Sequence, residues 1–135
     1  MTDTTGIAER VEDARLLWQA GRWEGALLCV LVAVAARARL AYPPGVRLSE
    51  RASFESYVTQ CFPWRLSTEY RGRLETIEHV FYKWLRCQLV HEAVLPVDLD
   101  FFEYDGLSLR AGGAPEFRLL LSTGWFEALA ACALR

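Results

Sequence analysis

The segment from Trp23 to Ala41 constrains the fold more than any other part of the chain. It is apolar almost all round until Arg37 and Arg39, and Pro43-Pro44-Gly45 follows it closely. A helix that is apolar on every side has to be buried in a protein core or a membrane. Its uncharged part, residues 26–36, is well short of the roughly 18 residues that span a bilayer. We therefore predict a central core helix and no membrane contact.

An amphipathic helix is predicted before this central one. Apolar residues follow helical spacing from Ile7 to Ala20, with charged residues between them. Gly21-Arg22 then interrupts the helix, and two helices joined by so short a link have to lie antiparallel.

Two more helices are predicted after the prolines. The first has Ser49 as a suitable N-cap and ends before Pro63. The second and longest is capped by Ser67 or Thr68 and extends to about Ala93. On a helical wheel this longest helix has an apolar stripe and an opposite polar side. The stripe holds Ile77, Phe81, Trp84 and Leu85, and the polar side holds Glu75, His79, Lys83 and Arg86.

The C-terminal part of the chain changes to the alternating pattern of strands. Val97 to Phe102 is predicted as a strand, Asp105-Gly106 as a hairpin turn, and Leu107 to Ala111 as the partner strand. A third strand from Glu116 to Leu121 and a closing helix from Gly124 to Leu134 follow.

The chain of 135 residues, 53% of them hydrophobic, is long enough for one domain whose core needs no disulfide or metal. We therefore expect a mainly α protein with a single domain at 1–135. An antiparallel four-helix-bundle-like core at 7–94 precedes an antiparallel β-meander and a closing helix at 97–135.

Charge and cysteine usage limit the possible functions. The net charge of -2 does not give the global positive field of a protein that grips long nucleic acids, so any RNA binding has to be local. The cysteines lack a Cys-x-x-Cys pair and are predicted to be buried thiols in a reducing compartment. The N-terminus has no signal-peptide pattern, so we expect a cytoplasmic protein. The four cysteines are Cys29, Cys61, Cys87 and Cys132.

Two stretches resemble the HEPN superfamily of helical, usually dimeric ribonuclease-like proteins. Residues 14–28, ARLLWQAGRWEGALL, are similar to the opening helix pair of that family, and residues 82–92, YKWLRCQLVHE, are similar to its final core helix. The resemblance covers about residues 7–94 as a pattern of helices. In that family an arginine, followed after a short interval by a histidine, marks an active site that two subunits complete. Arg86 and His91 fit this motif.

The resemblance implies a homodimer that cleaves RNA without a metal ion or any other cofactor. His91 would help to move the proton of a ribose 2′-hydroxyl, and Arg86 would stabilise the negative charge of the transition state. Lys83, Tyr82 and Glu92 are the expected binding residues beside them. A toxin or defence role is also implied, with a cognate antitoxin or regulatory protein as a further partner.

The positions of these residues leave questions open. Arg73 and His79 fit the same spacing, although we prefer Arg86 and His91 because they lie near the end of the last core helix. Residues five apart on a regular helix differ by about 140° in direction. Arg86 and His91 can therefore share a cleft only if the helix ends early or two subunits contribute.

Basic and aromatic residues alternate over the same region, a mixture that can hold phosphates and stack bases. The basic residues are Arg65, Arg71, Arg73, Lys83 and Arg86, and the aromatic ones are Trp64, Tyr70 and Tyr82.

The alternative interpretation is a non-catalytic helical module that binds a protein or nucleotide partner. Three features favour it: Cys87 follows Arg86 where many family members have a small polar residue, residues 92–105 are acidic, and the net charge is not positive. In that case His91 is a structural helix-end histidine and Arg86 forms a salt bridge. Cys87 and His91 have the spacing of metal ligands, but no further ligands are evident, so no metal site is predicted.

Overall fold

The computed structural model of the protein describes residues 3–42, 45–112 and 118–135. Within these ranges it contains five helices and five short strands. The helices are α1 (Thr5–Gln19), α2 (Trp23–Ala41), α3 (Glu50–Gln60), α4 (77–92) and α5 (Gly124–Ala133), and the strands are β1 (Ser67–Tyr70), β2 (Arg73–Thr76), β3 (Leu99–Phe102), β4 (Leu109–Ala111) and β5 (Leu119–Ser122). The protein is therefore largely helical with two small sheets.

Helix α2 lies at the centre of the core, as its apolar sequence predicts. It packs against α1, α3, α4 and α5, and its residues Leu27, Val30, Leu31 and Val34 are almost fully buried. The α1–α2 turn passes through Gly21, whose φ of +75° is readily adopted by glycine. In the described part of the chain, no helix combines the length and apolarity that crossing a bilayer requires.

An aromatic stack fixes the α1–α2 pair to the C-terminal helix. The Trp18 ring lies between Trp23 and Phe126, with centroid distances of 4.9 Å and 4.3 Å. Stacked aromatic pairs add roughly 0.5–1.5 kcal/mol beyond the burial of their surface. The closing helix is thus part of the core that the first two helices form.

The prediction for α3 is confirmed, but the predicted start of the longest helix is wrong. Ser49 caps α3 by accepting a hydrogen bond from the Ala52 amide at 3.0 Å. Residues 67–76, assigned to the next helix, form the antiparallel β1–β2 hairpin instead. Its turn needs positive φ at Arg71 (52°) and Gly72 (78°), which a right-handed helix does not allow.

Helix α4 begins only after this hairpin. Thr76 Oγ1 accepts a hydrogen bond from the His79 amide at 3.3 Å and so caps its first turn. The helix is α-helical at Ile77–His79, π-helical at Val80–Cys87 and α-helical again at Gln88–Glu92. A π-helix has a wider turn than an α-helix, so it changes the direction of the side chains that follow. The predicted apolar stripe still faces inward, with Ile77, Phe81 and Leu85 buried and Trp84 half-buried.

The second sheet is not the predicted antiparallel meander. Its strand order is β3-β5-β4, in which β5 runs parallel to β3 and antiparallel to β4. Leu119 and Leu121 of β5 are completely buried, which favours the central position for this strand. The chain around Asp105-Gly106 therefore passes to the far side of β5 instead of forming a direct hairpin. The first part of the predicted third strand, at Glu116, lies outside the described residues.

Candidate functional site

Arg86 lies near the end of the π-helical stretch and is bound to α3. Its Nη2 donates to Oε1 of Glu50, which also lies 3.5 Å from Nη2 of Arg39. The guanidinium carbon is 5.6 Å from the centroid of the Tyr82 ring. Only 16% of the Arg86 side chain is exposed, and its buried Nε has no hydrogen-bond partner among the described residues. The position of this guanidinium is therefore set by an acidic residue and an aromatic ring.

The two predicted binding residues beside Arg86 have different environments. Tyr82 is half-buried, with its ring centroid 5.5 Å from that of Phe54. Burial raises the pKa of the Tyr82 hydroxyl, and the neighbouring Cys87 thiol raises it further. Lys83 is exposed, and its Nζ lies 4.7 Å from the Trp84 ring centroid. Lys83 is accordingly the more accessible cation.

His91 and Glu92 lie at the C-terminal end of α4. Both are exposed, and neither side chain makes a hydrogen bond or ion pair within the described residues. The helix ends at Glu92, and the next residue, Ala93, has a left-handed φ of 64°. Val90 and Val94 on either side of them are also exposed, at 50% and 52%. This end of α4 therefore presents an accessible imidazole among apolar side chains.

Within the described residues of one chain, Arg86 and His91 share no hydrogen bond. Arg86 is bound to α3, whereas His91 is open to solvent. One chain thus supplies the two residues without joining them, and their convergence in a cleft stays a prediction that needs a second copy.

A groove that the sequence analysis did not predict is lined by residues of α3, β2 and α4, and its volume is about 590 Å³. In it, His79 Nδ1 lies 3.0 Å from Oε1 of Glu55, and His79 Nε2 lies 3.6 Å from Oε2 of Glu75. Arg51 Nε donates to the other oxygen of Glu55 at 2.6 Å. Arg73, Tyr82 and Lys83 also line the groove.

Two sequence features could have indicated this groove. Arg73 and His79 match the family spacing, and Glu75 and His79 are four residues apart, although Glu75 lies on β2 and His79 in the first turn of α4. The contact with Glu55 joins residues 24 positions apart on different helices. A contact between residues so far apart in sequence cannot be inferred from local spacing.

Some of the predicted basic and aromatic residues already bond to other side chains of the protein. Arg71 lies over the Trp84 ring, 4.4 Å from its centroid, and donates to both oxygens of Asp98 at 2.8 Å and 2.9 Å. The Tyr70 hydroxyl donates to the same carboxylate at 2.6 Å. These bonds lower the pKa of Asp98, mainly through Arg71, and burial together with Asp98 raises that of Tyr70. Arg71 is thus already paired and is less available to a ligand than Arg73 or Lys83.

The prediction that all four cysteines are thiols is wrong for two of them. Cys61 after α3 and Cys132 in α5 form a disulfide with a Cα–Cα distance of 5.7 Å, and Cys29 and Cys87 are free. The spacing rules missed this pair because 71 positions separate the two residues and only the tertiary fold brings them together. The described residues contain no cluster of three or more His, Cys, Asp or Glu side chains suited to a metal ion.

Comparison with known proteins gives no match to a family model, a curated protein or a solved structure.

Proposed function

We propose that the protein is a HEPN-like helical homodimer that binds RNA and cleaves it without a metal ion, through Arg86 and His91. The observation that carries this proposal is the arrangement of α4. One helix carries an arginine fixed in position by Glu50 and, at its end, an exposed histidine without a bonding partner among the described residues. The resemblance of residues 82–92 to the final HEPN core helix supports the same pair.

The two side chains suit the two demands of ribose-assisted cleavage. His91 takes the proton of a ribose 2′-hydroxyl, the 2′-oxygen forms a bond to the adjacent phosphorus, and the bond from phosphorus to the 5′-oxygen breaks. The departing 5′-oxygen takes a proton from water and His91 returns its proton to the solvent, which leaves a 2′,3′-cyclic phosphate and a 5′-hydroxyl. Arg86 stabilises the charge on the phosphoryl oxygens with its fixed positive charge and its fork of donors.

A second copy of the chain is part of this proposal. Val90, Val94 and Val97 are exposed around the end of α4, and burying them in an interface removes apolar surface from water. In the proposed dimer, a two-fold contact at this end would place His91 of one subunit near Arg86 of the other. The bundle-like HEPN core, a cytoplasmic location and an antitoxin or regulatory partner belong to the same proposal.

The test is cleavage of a mixed-sequence RNA in the presence of a chelator. Wild-type protein is compared with His91→Ala, Arg86→Ala and Arg86→Lys, with folding checked by circular dichroism and oligomeric state by light scattering. The lysine variant is included because Arg86 is largely buried, so its alanine variant is more prone to unfold. We expect 2′,3′-cyclic products from the wild-type dimer and loss of activity in the folded variants.

A specific observation favours one other function. Glu50 already neutralises Arg86, which suits a structural arginine in a module that binds a protein or nucleotide partner. No cleavage by the folded wild-type protein, or equal cleavage by all variants, would replace the ribonuclease proposal with this one.

A further inference from the structure

The groove that contains His79 adjoins the surroundings of Arg86. Tyr82 lines the groove, and the guanidinium of Arg86 lies over the same ring. Helix α3 makes a second connection between the groove and Arg86, because Glu50 pairs with Arg86 and the next residue, Arg51, lines the groove. A ligand in the groove would therefore lie next to the arginine of the proposed active site.

The acidic residue Glu55 has bonding partners in the groove, whereas two of the basic residues have no carboxylate partner among the described residues. Glu55 is bonded by Arg51 and His79, so its negative charge is already compensated by neighbouring side chains. Arg73 and Lys83 are exposed, and neither has a carboxylate partner among the described residues. The groove therefore offers two accessible cations to an anionic ligand.

The groove also has a size and an aromatic surface suited to nucleotides. Its volume of about 590 Å³ lies within the roughly 300–1,000 Å³ of ordinary ligand sites. Proteins that bind single-stranded nucleic acid combine backbone-tracking cations with aromatic rings on which bases stack. Tyr82 lines the groove beside the cations, and the part of its ring that Phe54 and Arg86 leave uncovered is the aromatic surface available to a base.

We propose that this groove binds the phosphate backbone of the RNA strand, with Arg73 and Lys83 contacting phosphates and Tyr82 lying beside a base. The inference rests on the proposed RNA function and adds to it a binding surface outside the Arg86 and His91 motif. His79 lies between Glu55 and Glu75 in the wall of the groove.

The test measures binding apart from cleavage. A short, fluorescein-labelled 2′-O-methyl RNA has no free 2′-hydroxyl and is not cleaved, so its anisotropy reports the binding of the wild-type protein directly. At about 0.15 M salt, where the Debye length is about 8 Å, Arg73→Glu and Lys83→Glu should each weaken binding at least about tenfold. Each substitution removes a charged hydrogen bond to a phosphate and adds a repulsive negative charge. The matched control Arg110→Glu makes the same charge change at an exposed position of β4 that does not line the groove, and it should weaken binding less than either groove variant because it removes no proposed phosphate contact.

A variant with the opposite expected sign guards against misfolding as an explanation. Glu75→Gln keeps the shape of the side chain and removes one negative charge from the groove, so RNA binding should tighten about threefold. Misfolding would not produce that gain.

The outcomes separate this inference from the proposed function. If the wild-type protein cleaves RNA but the Arg73 and Lys83 variants bind like the Arg110 variant, the groove proposal is wrong and the ribonuclease proposal stands. If the variants lose binding while the wild-type protein cleaves nothing, the groove is supported and the ribonuclease proposal falls. Absence of RNA binding by the wild-type protein overturns the groove proposal.

Discussion

Glu50, the first residue of α3, forms an ion pair with Arg86 on α4. The Glu50 side chain is 42% exposed, whereas the guanidinium that it neutralises is largely buried. Removing the carboxylate leaves a positive charge partly withdrawn from water without its main partner. The pair therefore links the stability of the α3–α4 contact to the proposed active-site arginine.

We predict that Glu50→Ala lowers the free energy of unfolding by about 1–2 kcal/mol. Breaking a fully buried ion pair costs roughly 3–5 kcal/mol, and the cost here is smaller because Glu50 is partly exposed. Glu50→Gln keeps an acceptor oxygen and should cost less. The matched control is Glu127→Ala, which breaks the exposed pair with Arg15 and should change stability by less than about 1 kcal/mol. Urea unfolding measures all three, and equal losses at Glu50 and Glu127 would contradict the prediction.

Asp98 should make the stability of the protein depend on pH. Arg71 and Tyr70 bond its carboxylate and hold its pKa below the ordinary value. A carboxyl group with a lowered folded-state pKa stabilises the fold above its unfolded pKa of about 4, and this stabilisation is lost as the pH falls through the folded value. We expect Asp98→Asn to cost about 1–2 kcal/mol at neutral pH, with the difference from wild type shrinking below about pH 4.

The measurement is urea unfolding of both proteins at several pH values. Asp100→Asn serves as the control because Asp100 is more exposed and lies 3.4 Å from Arg118. That variant should differ from wild type by less than about 1 kcal/mol at neutral pH. A pH-independent difference for Asp98→Asn would argue against the assigned role of its charge.

Gly124 begins α5 where there is no room for a side chain. A Cβ at this position would collide with the backbone oxygens of Asp105 and Gly106, which are not free to rotate away as a side chain is. Gly124→Ala should therefore destabilise the protein by about 2–3 kcal/mol. Gly6→Ala is the control, since a Cβ there meets nothing within 4 Å and alanine favours α1 by up to about 1 kcal/mol. Thermal unfolding of the two variants should shift in opposite directions.

The helices could be predicted largely because their signals are local. The apolar run of α2 and the Ser49 cap of α3 are each contained within one element, and both were located correctly. The sequence does not predict the hairpin at residues 67–76. Gly72 lies inside the segment assigned to a helix, and a glycine there costs a helix about 1 kcal/mol, which is a signal against that assignment. The parallel pairing of β3 with β5 depends on tertiary packing, which an alternating pattern does not encode.

The candidate site divides in the same way. The motif residues Arg86 and His91 could be chosen from spacing and resemblance, but the ion pair that positions Arg86 joins residues 36 positions apart. The groove likewise depends on the contact between Glu55 and His79 across two helices. Local sequence patterns therefore identify candidate side chains, whereas the carboxylates that contact them become visible only in the folded structure.

The Cys61–Cys132 disulfide conflicts with the predicted reducing compartment, and a thiol titration decides between them. Structural disulfides persist in oxidising environments and are rare in the cytosol. Protein purified under non-reducing conditions and then denatured should titrate two thiols, from Cys29 and Cys87, and four after reduction. Four thiols without reduction would instead agree with the cytoplasmic prediction.

Replacing the bonded cysteines tests what the disulfide does for the fold. It joins the end of α3 to α5 across 71 positions of the chain, and the chain-entropy estimate for a loop of that length is about 4 kcal/mol. Cys61→Ser should therefore lower the free energy of unfolding by up to about that amount, whereas Cys29→Ala, which removes a free and half-buried thiol, should cost about 1 kcal/mol or less. Adding a reductant should lower the stability of the wild-type protein by a similar amount, because it breaks the disulfide. The stability of Cys61→Ser should not change, because that variant has no Cys61–Cys132 bond.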